Sequence, residues 1–412
     1  MSELMKLGDV TDVLAGVGFP KEMQGKQDGE IPVFKVGDIS AAWLQGKNFL
    51  TESRNYLSQE DAKSLGRLVP AGTTVFAKIG EALRLNRRVM LGCAALVDNN
   101  VMGLVPDEAK VSPKYLYYFM QTVDLGDLSR STTVPSIRKS DVLDIPINVP
   151  GLAEQDEIVA EIEKQFSRLD EAVANLQRVK ANLKRYKASV LKAAVEGRLT
   201  EGNVDAFRRL RLGELVDLNP RLPKGSLDDT SSVSFVPMAA VGADDGCLDV
   251  TTIRSYSEVR KGYTYFADGD VLFAKVTPCM ENGKIAVVKG LVGGIGFGST
   301  EFHVMRPRPN VDPRYVYCIV SSESFRKEAA RHMTGAVGLR RVPAAFLESV
   351  EVSVPPLDKQ LLVVSEVDRQ LTIIQEIEAE VDVNLQRSKV LRQATLEKTL
   401  FNQRFKSNVM DM

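Results

Sequence analysis

The chain has 412 residues, 44% hydrophobic and 26% charged, with a formal net charge of −1 and four cysteines, the balance of a globular protein of about two to four domains. No apolar run approaches the roughly 18 residues that cross a bilayer, and near-neutrality is unusual for a small protein that binds nucleic acid through bulk charge but does not exclude such binding, because phosphate contact depends on where the basic residues lie. Met1 to Asp9 lacks the basic-then-apolar pattern of a secretion signal, and Cys93, Cys247, Cys279 and Cys318 lack any CxxC spacing, so free buried thiols and a cytoplasmic location are expected.

In chain order, residues 1–150 read as short strands punctuated by Gly and Pro: Ile31–Val36, Thr73–Ala77, Arg88–Leu91 and Ala94–Val97 carry the β-branched and aromatic enrichment of strands. Pro113 to Gln121 reads as a helix with proline in its first turn. From Ala153 to Glu196 there is neither Gly nor Pro, and Ile158, Ile162, Phe166, Leu169, Val173, Leu176, Leu183, Tyr186 and Val190 recur at a spacing close to that of a helical seam. Gly197 stops this predicted helix, which at 1.5 Å per residue is roughly 65 Å long. Residues 198–207 read as a linker. Strand-like runs then return at Val233–Val236, Val271–Phe273, Lys284–Val288 and Glu301–Met305. A second long helix is expected from about Asp358 to Phe405, with Val364, Val367, Leu371, Ile374, Val381, Leu385 and Leu391 in its seam.

The second half repeats the first. Lys6-Leu7-Gly8-Asp9-Val10 returns as Arg211-Leu212-Gly213-Glu214-Leu215, 205 residues later (6 to 211). Ala71–Lys78 returns as Asp268–Lys275, Ser112–Tyr117 as Asp312–Tyr317, and Val149-Pro150-Gly151-Leu152 as Val354-Pro355-Pro356-Leu357 before each long helix. A period this long is no solenoid; it is a duplicated module of globular part plus helix. A narrow apolar stripe is marginal alone in water, so the two helices are expected to pack together, and the pseudo-twofold implied by duplication makes them antiparallel. The expected fold class is therefore α+β: two mixed globular domains, 1–150 and 208–355, and two long helices, 151–197 and 356–406, paired as an antiparallel coiled coil with an internal repeat, ahead of a tail at 407–412.

Catalytic patterns are missing. His303 and His332 are too few for a metal site or a triad and read as structural. The run Gly293 to Thr300 lacks the lysine of a phosphate loop and the spacing of a dinucleotide loop, so it reads as a turn entering the strand at Glu301. Glu108-Ala109-Lys110 sits in a turn rather than on a strand, unlike a nuclease E-x-K. Neither an aminomethyltransferase motif nor an S-adenosylmethionine loop is seen. What remains is binding chemistry at equivalent places in the two halves. Lys78, Arg84, Asn86, Arg87 and Arg88 form one cluster, with Lys275, Thr277, Asn282 and Lys284 as its counterpart. Thr133, Ser136, Arg138 and Lys139 form another, with Gly335, Arg340 and Arg341 opposite them. Arg and Lys suit phosphates and guanine edges, Asn suits adenine, and hydroxyls suit either, so these sixteen positions are the candidate DNA-binding residues. The alternative is a non-catalytic coiled-coil scaffold with two protein-binding heads.

These elements, in this order and twice over, resemble the specificity subunit of type I restriction–modification enzymes. The resemblance rests on Lys6–Asp9 with Arg211–Glu214, on Gly269–Lys275 followed by Asn282-Gly283-Lys284, and on the Val-Pro-x-Leu entry to each helix with Gln155–Ile158 and Lys359-Gln360. It implies two target-recognition domains, each reading half of a bipartite, asymmetric double-stranded DNA site, with the helices as a ruler. It also implies two methyltransferase subunits holding S-adenosylmethionine, and restriction–translocase subunits using ATP and Mg, with no cofactor or catalysis in this chain and no membrane.

Overall fold

The computed structural model describes residues 3–129, 134–200, 207–336 and 338–401. The expected linker is therefore only partly described, and the expected tail lies outside the described residues. The chain divides into two units, Met1–Asn175 with Asn384–Met412, and Leu176–Val383. Each contains a globular part and one end of each long helix.

In the first unit, Glu3–Lys6 pairs antiparallel with Pro146–Val149, tying the two ends of the globular part together. The main sheet runs in the order Thr11–Ala15, Val101–Pro106, Thr74–Ala77, Arg88–Leu91 and Phe49–Leu50, antiparallel except for its last pair. A smaller sheet joins Tyr56–Leu57, Ile31–Phe34 and Leu96–Val97. The helix Pro113–Met120 begins at Ser112, whose hydroxyl caps the Tyr115 N–H, and lays Tyr115, Leu116 and Phe119 into the core. That core also takes Ile158, Val159, Ile162 and Phe166 from the helix Leu152–Val195 and Leu396 and Leu400 from the helix Leu357–Phe401. Arg392 stacks its guanidinium 3.8 Å from the centroid of the Phe166 ring and reaches Asp170 at 2.6 Å.

The second unit is built to the same plan. Arg208–Arg211 pairs antiparallel with Glu351–Val354. One sheet runs Val216–Leu218, Phe302–Pro307, Val271–Ala274 and Ile285–Val287, and another Ile253–Ser255, Ser232–Val236, Ile295–Gly298 and Thr264–Ala267. The helix Pro313–Ser321, capped by Asp312, fills the role of Pro113–Met120. Val363, Val364 and Val367 join its core together with Val190, Leu191 and Ala194. Lys180 meets Asp382 at 2.5 Å and Tyr186 meets Gln370 at 2.9 Å, so rising numbers on one helix face falling numbers on the other, and the pair is antiparallel as duplication requires.

The repeated Lys/Arg-Leu-Gly-Asp/Glu opening has a physical reading. Leu7 and Leu212 are fully buried. The Asp9 and Glu214 carboxylates accept the N–H groups of Lys6 (2.9 Å) and Arg211 (2.7 Å), closing a turn of helix. The glycine permits close packing: a Cβ at Gly213 meets the Glu348 carbonyl oxygen at 2.9 Å, and one at Gly8 meets Leu143 at 3.2 Å.

Three expectations change. The run from Gly293 is more than a turn, because Ile295–Gly298 forms an inner strand in which a Cβ at Gly296 stands 2.3 Å from the Phe266 ring and one at Gly298 stands 2.3 Å from the Val236 carbonyl oxygen. Its glycines serve close approach between sheet neighbours. Tyr186 and Leu391, placed in the seams, are 49% and 53% exposed. Of the thiols, only Cys318 is fully buried, which pushes it up to about 12, whereas Cys247 is exposed. None of the four is disulfide-bonded, and no group of potential metal ligands occurs among the described residues.

Candidate nucleic-acid interface

In the first unit the two expected clusters lie on adjoining loops. The strand Thr74–Ala77 runs into Lys78, whose carbonyl accepts the Ile137 N–H at 3.1 Å, while the Gly80 N–H donates to the Pro135 carbonyl at 2.8 Å. Lys78–Arg88 and Val134–Lys139 thus share one edge of the fold. Arg84, Arg138 and Lys139 are exposed there, and Arg87, Lys78 and Ser136 are half-buried. Arg84 lies 3.6 Å from Glu81, and Lys139 lies 3.6 Å from Asp12; both pairs are solvent-exposed and weak. Thr133 lies outside the described residues.

Two members of the first cluster are scaffold rather than interface. Arg88 is 1% exposed. Its guanidinium donates to the carbonyls of Met120, Val123 (2.9 Å) and Asn86 (3.2 Å), and to the Asn86 side-chain oxygen (3.0 Å). Burial lowers its pKa to about 10, against the opposing pull of Tyr117 and Asp124 nearby. Asn86, in the left-handed region at φ 50°, donates to Asp124 at 2.6 Å and accepts the Leu125 N–H at 2.8 Å. Its amide holds the Asp124 carboxyl below the usual carboxylate range. Both residues point inward because the strand Arg88–Leu91 is buried on both faces and the turn before it must be fastened.

The second unit repeats this backbone arrangement. The Val342 N–H donates to the Lys275 carbonyl at 2.9 Å, the counterpart of Ile137 and Lys78, and the Thr277 N–H donates to the Arg340 carbonyl at 3.0 Å. Lys275, Thr277, Arg340 and Arg341 therefore meet at one edge, with Gly335 at the exposed turn before them, at φ 119°. The side chains differ in availability. Arg341 donates two hydrogen bonds to the Glu301 carboxylate (2.6 and 2.9 Å), which hold that carboxyl below its usual range. Arg340 reaches the Met333 carbonyl at 3.0 Å, and the Thr277 hydroxyl donates to Glu281 at 3.3 Å. Lys284 is a second correction: its ammonium donates to the carbonyls of Val241 (2.7 Å) and Met238 (3.1 Å), fastening one loop to another.

Asn282 remains exposed, on the wall of a cavity of about 570 Å³ whose other side is Lys180, Lys184 and Lys187 of the first long helix. These lysines were not foreseen as site residues. Their signal, a basic stripe spaced by four and three, is shared by any solvated helix face. Beneath the loops, His303 is buried, its Nε2–H donating to the Val342 carbonyl at 2.8 Å and its Nδ1 accepting from Asn219 at 3.2 Å. Burial lowers its pKa, so it is held neutral as part of the support.

With this geometry described, the chain can be compared with known proteins. Residues 2–185 match the type I restriction modification DNA specificity domain. Over 162 residues the chain is 38% identical to the Type I restriction enzyme EcoEI specificity subunit of Escherichia coli. The first part of the chain is thus similar to the specificity subunits of type I restriction enzymes. The EcoEI match takes in 39% of this chain but only 27% of that relative's length. Likeness of fold extends further. The HsdS subunit from Thermoanaerobacter tengcongensis is matched at a TM-score of 0.59 with 17% identity, over 97% of this chain and 96% of that one. A chain from work on complex assembly and conformational transition of the type I R-M system reaches 0.72 at 16% identity, over 97% of each. At such identities these two show the fold alone.

Proposed function

We propose that this chain is the DNA-reading subunit of a type I restriction–modification complex. Each globular part reads one half of a bipartite site, and the paired helices fix the distance between the halves. The observation that carries this reading is the repetition of one backbone frame with different side chains at its reading edge. Ile137 on Lys78 and Val342 on Lys275 are equivalent hydrogen bonds, yet the loops that they anchor present Ser136, Arg138 and Lys139 in one unit and Gly335, Arg340 and Arg341 in the other. A shared frame with unlike edges suits two unlike half-sites, and so an asymmetric sequence. Base-edge contacts specify, phosphate contacts set register, and two modest affinities combine through high effective concentration.

Within that reading the exposed Arg84, Arg138, Lys139, Asn282, Arg340 and Arg341, with the half-buried Lys78, Arg87, Ser136, Lys275 and Thr277, are the DNA-facing set; Gly335 belongs to its loops, and Thr133 is a candidate by sequence alone. Adenine methylation, with S-adenosylmethionine, belongs to two partner methyltransferase subunits. Cleavage, with ATP and Mg, belongs to restriction–translocase subunits, and the complex works in the cytoplasm. No helix among the described residues is long and apolar enough to cross a membrane. The test is single-molecule methylation mapping of DNA from cells that carry this chain and its methyltransferase. A split, non-palindromic motif is expected; a continuous or palindromic one overturns the two-reader account, and absence of any motif favours the protein-binding scaffold.

A further inference from the structure

Each unit contains a fully buried glutamine at the root of its long helix. Gln155 is 0% exposed and Gln360 is 1% exposed. The Gln155 Oε1 accepts the Ser112 N–H at 2.7 Å, while its Nε2 donates to the carbonyls of Lys110 and Pro150, both at 2.8 Å. The Gln360 Oε1 accepts the Asp312 N–H at 2.8 Å, and its Nε2 donates to Asn310 at 3.3 Å and Pro355 at 2.9 Å. Both amides are thus committed in the same way: to the capping residue of the proline-started helix, to the turn before it, and to the strand end before the long helix. Both protons of each –NH₂ are used, a pattern that neither Glu nor an apolar side chain can reproduce.

A second tie lies beside each amide. Lys114 pairs with Glu163 at 2.8 Å, and Arg314 pairs with Asp368, joining the same two helices in each unit. A third is the phenol of the same short helix: Tyr115 donates to the Asn148 carbonyl at 2.8 Å and Tyr315 to the Ser353 carbonyl at 3.1 Å. The long helix therefore leaves the globular part at an angle fixed by directional bonds, whereas apolar packing alone would tolerate sliding and tilting.

We infer that Gln155 and Gln360 are positioning residues for spacing: they lock each reading part to its helix and so make the protein discriminate between half-sites one base pair nearer or farther apart. One base pair moves a half-site by about 3.4 Å along the duplex and turns it by roughly a tenth of a revolution, so a small pivot at the helix root is enough to admit the wrong spacing. This rests on the function proposed above. It assigns the spacing choice to two junctions, beyond helix length alone.

The test uses the full chain assembled with its methyltransferase subunits. Methylation rates are compared on duplexes carrying the mapped site, the site with its spacer lengthened or shortened by one base pair, and the site with one half-site base changed. Gln155→Met and Gln360→Met should lower the ratio of correct to wrong spacing by about tenfold, the scale of one buried hydrogen-bonding group left unmatched. Half-site base discrimination should stay at the wild-type value. Glu163→Ala, at the exposed ion pair of the same junction, should move the spacing ratio in the same direction by less, and it keeps the test open if a Met variant does not fold. Unchanged spacing ratios overturn the inference, as does a parallel loss of spacing and base discrimination, which marks a purely structural role. A wild-type complex indifferent to both sequence and spacing overturns the functional reading itself, and the inference with it.

Discussion

Replacing Arg88 by methionine separates scaffold from interface. The substitution keeps the length of the stem and removes the guanidinium that donates to the Met120, Val123 and Asn86 carbonyls. Each buried acceptor left without a donor costs about 1–3 kcal/mol, and Met120 and Val123 lie at the end of a packed helix where water has little access, so the loss is about 3–5 kcal/mol. Set against a typical domain stability of about 5–15 kcal/mol, this shifts a urea midpoint by roughly 1–2 M. The chain has one tryptophan, Trp43, and it packs in the first unit against Ile39 and its neighbours, so tryptophan fluorescence follows that unit selectively. The Trp43 transition should move to lower urea in Arg88→Met. The salt dependence of DNA binding by the assembled, folded complex should not change, because no phosphate contact has been lost. Arg138→Ala should behave in the opposite way, with the midpoint unmoved and the slope of log K against log salt reduced by about 0.9. An Arg88→Met protein with an unmoved Trp43 midpoint and a reduced salt slope would refute the assignment of Arg88 to the interior.

In the second unit, His303 is held neutral with its pKa lowered by burial, so the unfolded chain binds the proton more readily; its stabilising contribution is fully present above about pH 6.5 and is lost as pH falls through the folded value. His303→Met, which introduces the residue found at the equivalent strand position, Met102, should remove that loss, and hydrogen exchange in Phe302–Pro307 between pH 7 and 5 reads it, with Trp43 fluorescence as the control that does not change. Asp270→Ala should lower the second unit's melting temperature by roughly 5–10 °C, because Arg306 (Nε at 2.8 Å, Nη2 at 2.7 Å) and the Ala267 N–H lose a 1%-exposed acceptor; the partly exposed Arg306 regains water, which limits the cost to about 2–3 kcal/mol. An unchanged near-ultraviolet melt would show that this pair contributes nothing net.

The long helices and the doubling were legible because both are carried by many residues at once. A stretch of 44 residues without Gly or Pro, with recurring apolar positions, specifies a helix whatever surrounds it, and two such stretches 205 residues apart specify a repeat. Strand Val101–Pro106 was missed: its six residues Val-Met-Gly-Leu-Val-Pro include a glycine and end in proline, and its central place in the sheet is set by Thr74–Ala77 and Thr11–Ala15 on either side. The same limit explains Arg88 and Lys284. Composition marks a basic residue near a turn as a phosphate ligand, but whether its head faces water or a set of backbone carbonyls depends on where Met120 or Val241 stops, many residues away. Gln155 and Gln360 were visible as letters in a motif, yet their role emerged only when three separate carbonyl and amide groups were seen to converge on each.

What duplication has kept and what it has let go follow different physical demands. Kept are groups that satisfy buried backbone: the paired glutamines, the tyrosine hydroxyls, and the hydrogen bonds from Ile137 and Val342 that close each reading edge. Loss of a glutamine amide or a tyrosine hydroxyl leaves buried backbone groups unmatched, while the Ile137 and Val342 bonds are made by backbone that any residue but proline retains. Changed are groups whose partner is water or a replaceable neighbour. The Arg341–Glu301 pair and the anchored Arg340 occupy an edge that, in the first unit, carries the exposed Arg138 and Lys139. Solvated positions of this kind can be exchanged for little stability, so new base preferences can arise in one unit without disturbing the other. On the function proposed above, the frame would limit where DNA is met and the loops would decide what is recognised there, so that one module, used twice, would read a site whose halves differ.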